Sequence, residues 1–131
     1  MPQTALGATL QFLREQRGLS LRELARLSDT DHAYIYRLET GDKESPSDEV
    51  LARLTRALKA DKRDADILKF AAEHASTDAG FITHVLKDKG VSYEIFSSAA
   101  AAVFRGTTRP DYPTLIERVR KILDAEKAGD G

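Results

Sequence analysis

The feature that most restricts this chain is a pair of short helix signals, each with its own cap, set three residues apart. Ser20 is followed by Glu23. In that spacing the serine hydroxyl takes the third helical amide and the glutamate reaches back to the cap. Leu21, Leu24, Ala25 and Leu27 supply an apolar side, and Ser28, Asp29 and Thr30 interrupt it. Asp31 then caps a second short helix to about Thr40, with Ile35 and Leu38 as its buried positions and Gly41 as its stop. Two such helices joined by three residues have helix-turn-helix geometry. Small Ala25 permits close approach at the turn, and burial of Ile35 and Leu38 leaves His32, Ala33, Tyr36 and Arg37 facing outward.

The flanks read as helices too. Leu6, Thr9, Leu10 and Leu13 follow a helical stripe within Leu6–Arg17, and Gly18 ends it. After a polar loop over 42–46, Ser47 caps a fourth helix carrying Val50, Leu51, Leu54 and Leu58. A fifth runs from Asp61 to about Ala75 on Ile67, Leu68 and Ala71. Residues 76–80 look like a linker. Beyond it, Phe81 to Leu86 is apolar at helical spacing, Gly90 breaks the run, and alanine-rich Tyr93 to Phe104 predicts one or two helices. A loop over 106–113 holds two prolines, and Thr114 is the expected cap of a last helix to about Glu126, with Leu115, Val119, Ile122 and Leu123 as its stripe. Residues 128–131 are a tail. No segment alternates as a strand does. The predicted fold is all-α: a five-helix domain over 1–75, a linker over 76–80 and a smaller helical module over 81–127.

Composition narrows the chemistry. The 131 residues include no cysteine, which excludes disulfides, thiolate metal sites and cysteine nucleophiles. Net charge is −1 and neither half is basic, so contact with a polyanion must rest on where the charges sit. The first residues lack the charged start and apolar run of a secretion signal. No stretch approaches the roughly eighteen apolar residues of a membrane span. A cytoplasmic location without membrane association is expected. His32, His74 and His84 match no metal spacing, and carboxylates such as Asp64/Asp66 and Asp48/Glu49 read as helix-surface charges. No nucleophile elbow, phosphate-binding glycine loop or HExxH is present. Neither an enzymatic activity nor a metal nor a cofactor is predicted.

The chain resembles the phage-repressor-like (Cro/cI, XRE-type) helix-turn-helix family. The matching words are Gly18-Leu19-Ser20, Glu23-Leu24-Ala25, then Ile35, Arg37, Glu39 and Gly41, then Pro46-Ser47 with Leu51, Leu54 and Ala57-Leu58, within about residues 6–75. Asp29 stands where the family prefers Gly at the turn, and Leu21 where many members carry a phosphate-bracing Gln. The resemblance implies a five-helix repressor-like domain whose third helix enters the major groove of double-stranded DNA. Carried over by position, His32, Ala33, Tyr36 and Arg37 are the base readers, Arg37 foremost because a guanidinium can bond guanine O6 and N7 together. Ser20, Arg22, Tyr34 and Lys43 are the expected phosphate contacts. Arg14 and Glu39 are the expected ion pair between the first and third helices. A sequence-specific regulator acting as a repressor and a homodimer is implied.

Residues 81–127 leave three readings open. Leu86 to Ser92 echoes Leu13 to Ser20, and Phe104-Arg105-Gly106 echoes Leu38 to Gly41, as in a degenerate second helix-turn-helix. An alanine-rich module for dimerisation or a protein partner is another, as in an antitoxin or coactivator of this fold. A plain extension of the first core is the third.

Overall fold

The computed structural model describes residues 3–42, 45–103 and 111–129. Among these the chain forms eight helices and no strand: α1 (Ala5–Gln16), α2 (Leu21–Ser28), α3 (His32–Thr40), α4 (Asp48–Leu58), α5 (Lys62–Glu73), α6 (Ala79–Lys87), α7 (Tyr93–Val103) and α8 (Tyr112–Gly129). None is long and apolar enough to cross a membrane.

Short polar side chains start the helices, because the first amides of a helix have no partner within it. Thr4 accepts from the Gly7 amide, Asp31 from Ala33, Ser47 from Val50, Asp61 from Asp64 and Asp78 from Gly80. Ser20 and Glu23 form the reciprocal box, both bonds at 3.0 Å. That backbone contact holds the Glu23 carboxyl below its ordinary range.

α1 is the hub, packed against α3, α5 and α6; α2 packs against α3 and α4, α5 against α7, and α7 against α8. One apolar core joins Leu10, Leu24, Ile35, Leu38, Leu54, Ile67 and Leu68 to Phe81, Ile82, Val85, Leu86 and Phe96. Ala79 and Gly80, expected in a linker, form the first turn of α6. α7 is unbroken from Tyr93 to Val103, so that span contains one helix and no turn. The echo at Phe104-Arg105-Gly106 lies outside the described residues.

Three details differ from expectation. Leu27 is 46% exposed, and the buried residues of α2 are Leu24 and Ser28; with only eight residues, α2 turns a narrow stripe inward and leaves Leu27 outside it. Ile122 is 58% exposed, and the buried side of α8 is Leu115, Ile116 and Val119. Thr114 lies inside α8 rather than capping it. Pro113 occupies the first turn, where its missing N–H costs nothing and its fixed φ suits a helix. The Tyr112 hydroxyl, donating to Asp78 at 2.8 Å, anchors that start against α6.

A charged lock ties α5 to the end of α6. The Arg63 guanidinium donates to the carbonyls of Val85, Leu86, Asp88 and Val91 at 2.8–3.2 Å. Val85 and Leu86 lie in the last turn of α6 and Asp88 caps it, where positive charge is favoured, while Val91 follows in the loop. The Val85 and Asp88 carbonyls also accept the Asp88 and Val91 amides. Arg63 Nε also donates to the buried Asp64 carboxylate, whose other oxygen accepts from Lys89 at 2.7 Å. The bond to Asp64 holds the Lys89 ammonium above its ordinary value, while the Asp64 amide, and then Lys89, hold Asp61 below its own.

One position makes a sharp test of packing against propensity. α1 crosses the end of α3 so closely that a Cβ on Gly7 would lie 2.4 Å from the Glu39 carbonyl oxygen and 2.8 Å from that of Leu38. In an open helix, Gly→Ala stabilises by about 1 kcal/mol. Here Gly7→Ala is expected to destabilise by about 1–3 kcal/mol, since backbone must move aside. Urea unfolding decides the sign, and a gain in stability would show that α1 can shift off α3.

Candidate functional site

α2, the turn and α3 form one exposed unit. Asp29 takes the left-handed conformation, with φ 50° and ψ 50°. This is a geometry Asp tolerates better than most residues, so the missing glycine is accommodated. The Thr30 amide donates back to the Ala25 carbonyl at 2.9 Å and closes the turn. Gly41, at φ 86°, ends α3 in the same left-handed region.

α3 divides cleanly by burial. Ile35 and Leu38 are fully buried and Glu39 nearly so. His32, Tyr36 and Arg37 are exposed, Tyr36 to 56%, and Ala33 is half-buried beside them. Positions i, i+1, i+4 and i+5 share one helix face, so these four side chains are brought together. Among the described residues, no carboxylate forms an ion pair with Arg37 or Arg22. His32 lies 3.9 Å from the Asp31 carboxylate.

The expected phosphate contacts are scattered differently. Arg22 is exposed on α2. The Ser20 oxygen accepts from Glu23 and keeps its hydroxyl hydrogen to donate. Tyr34 is half-buried and packs against the core. Lys43 lies outside the described residues. Leu21 lines a cleft with Gln3, Gln11 and Tyr36, in which the Gln3 amide donates to Gln11 and to the Glu39 carbonyl and the Gln11 amide donates to Glu15.

Arg14 and Glu39 meet as a two-pronged pair. Arg14 Nε and Nη2 donate to the two Glu39 oxygens at 2.7 and 2.9 Å, and Nη1 donates to the Leu19 carbonyl at 2.9 Å. The side chains are 13% and 6% exposed. The hydrogen bond to Glu39 raises the Arg14 pKa above its ordinary value. This pair fixes α3 and the entry to α2 against α1.

Arg53 was not legible in the sequence. It stands on α4, and its Nε donates to the Ser28 carbonyl at 3.0 Å and its Nη2 to that of Asp29 at 3.4 Å. Its only sequence signal is Glu49 four residues earlier, with which it pairs at 3.0 Å. Nothing in that spacing points to a turn in another helix pair. Among the described residues, no cluster of His, Asp and Glu could hold a metal ion.

The comparison with protein families agrees with this geometry. Residues 5–68 match a family model described as a helix-turn-helix domain. Among solved structures, the crystal structure of the clp gene regulator ClgR from C. glutamicum is similar, with 42% identity over 56% of this chain and 92% of that one, at a TM-score of 0.45. A comparison with curated proteins finds no match.

Proposed function

The chain belongs, through residues 5–68, to the helix-turn-helix family, and from that premise we propose that it is a sequence-specific DNA-binding transcription regulator, a repressor, reading the major groove with α3. The observation that carries this reading is the outward face of His32, Ala33, Tyr36 and Arg37 on a helix pinned from behind by Ile35 and Leu38. Arg37 reads a guanine edge, and Ala33 is small enough to meet a thymine methyl. Ser20, Arg22, Tyr34 and Lys43 hold the phosphates on either side. A homodimer would set two such helices one DNA turn apart, roughly 34 Å. No catalytic role is proposed.

With a net charge of −1, long-range attraction to DNA is weak, and the few positioned cations carry the affinity. A mobility-shift assay on the DNA flanking the gene, over a salt series, tests the reading. A steep salt slope with retained preference for one site supports it; absence of any preference even at low salt overturns it. Two substitutions separate the roles. Arg37→Ala is expected to relax preference at one base step by about 1–3 kcal/mol. Arg22→Ala is expected to weaken all sequences alike and flatten the slope. Equal effects on both measures contradict this division.

A second reading, a protein-interaction module such as an antitoxin or coactivator working through residues 81–127, is favoured by the exposure of Ile122 on α8. The same assay discriminates, since this reading requires no site preference. In the first reading residues 81–127 serve dimerisation.

A further inference from the structure

We infer that Arg53, on α4, is a positioning residue for the reading helix: its guanidinium clamps the α2–α3 turn and thereby sets how α3 is presented. The inference rests on the DNA-reading role proposed above and adds to it a residue that lies outside the helix-turn-helix itself. The Ser28 and Asp29 carbonyls belong to the end of α2, where backbone acceptors have no helical partner and carry partial negative charge. The Ser28 carbonyl accepts at 3.0 Å both from Arg53 Nε and from the Thr30 hydroxyl, and the Asp29 carbonyl accepts from Arg53 Nη2. Asp29 is also the residue held in the left-handed conformation. A bend that glycine would adopt freely is here adopted by Asp, which tolerates it better than most residues but less readily than glycine. The clamp sits on that residue.

The guanidinium is itself fixed. Nη1 bonds Glu49 one turn back on α4, and the side chain is only 28% exposed. α4 rests on the core through Leu51 and Leu54. Arg53 therefore transmits the position of a rigid helix to the turn. The planar fork suits two neighbouring carbonyls, whereas a lysine ammonium reaches one of them. Loss of the clamp frees the turn, so α3 samples several approaches to the groove. Contacts that need alignment of base edges suffer, while contacts to phosphates tolerate the motion.

The test compares Arg53→Met and Arg53→Lys in the full chain. The probes are a duplex selected from a randomised pool by the wild-type protein and an unselected random duplex, at one fixed salt concentration. Expected for Arg53→Met is a loss of tenfold or more in affinity for the selected duplex, with less than a twofold change for the random one, and partial recovery in Arg53→Lys. Equal losses on both duplexes would make Arg53 a phosphate contact and overturn the inference, as would no loss on either. Amide hydrogen exchange at Thr30 and Ala33 supplies a readout independent of DNA. Faster exchange confined to the turn in Arg53→Met supports the clamp, and unchanged exchange overturns it. If the wild type selects no duplex, the DNA-reading proposal fails on its own, and exchange still decides the clamp.

Discussion

Replacing Glu39 with alanine is expected to cost about 3–5 kcal/mol of stability, because it strands the Arg14 guanidinium in a nearly closed site. Arg14 is 13% exposed and keeps only its bond to the Leu19 carbonyl once the carboxylate is gone. The loss is large against the roughly 5–15 kcal/mol that holds a domain folded. Most of that cost measures the uncompensated charge rather than the worth of the pair. The double variant Arg14→Met/Glu39→Leu is therefore expected to recover most of the loss in urea unfolding. If the double variant is as unstable as Glu39→Ala, the pair holds α1 and α3 together by its geometry, and apolar contact does not replace it.

The pair also separates stability from reading. Glu39 shares α3 with Tyr36 and Arg37 but is buried, its carboxylate turned to Arg14 of α1. The double variant should thus bind the selected duplex with a preference close to wild type, provided the α1–α3 packing survives. Arg53→Met should do the reverse, with modest loss of stability and marked loss of preference.

How much of this was legible in the sequence follows from the range of each interaction. The boundaries of α2 and α3 were readable because Ser20, Glu23, Asp31 and Gly41 act on their own backbone within four residues. The exposed face of α3 followed from Ile35 and Leu38 by helical period alone. Arg53 and Arg63 were not readable. Beyond the nearby carboxylates of Glu49 and Asp64, their partners lie 22–28 residues away and are backbone carbonyls, which leave no side-chain signature. Gly7 was hidden for the same reason, since what demands it is the carbonyl of Glu39 crossing behind it. Leu27 and Ile122 were misplaced because both sit at the margin of an apolar stripe, where period does not say which side the neighbouring helix takes. In Thr114 a cap-forming residue type stood close to a helix start that Pro113 and the Tyr112–Asp78 bond had already set.

Phe81→Ala is expected to destabilise the whole molecule by about 3–5 kcal/mol, the range for truncating a fully buried phenylalanine. Phe81 has no exposed surface; its ring centroid lies 5.8 Å from that of Phe96 in a stacked arrangement and 5.4 Å from that of Tyr112. It therefore joins α6, α7 and α8 at one point, while Ile82, Val85 and Leu86 of the same helix are buried in the core that α1 shares. Arg63 reinforces that seam from α5. The consequence concerns whether α6 to α8 fold as a separate unit. Two independent units would give two transitions, with Phe81→Ala moving only the one sensed at Phe96. A shared core gives one transition, displaced equally at Ile35 and at Phe96. Urea unfolding followed by residue-resolved NMR at both positions distinguishes these outcomes, and coincident displacement is expected. A variant that lost signal at Phe96 while Ile35 kept its wild-type midpoint would show that the helix-turn-helix stands without α6, despite the burial of that helix against α1.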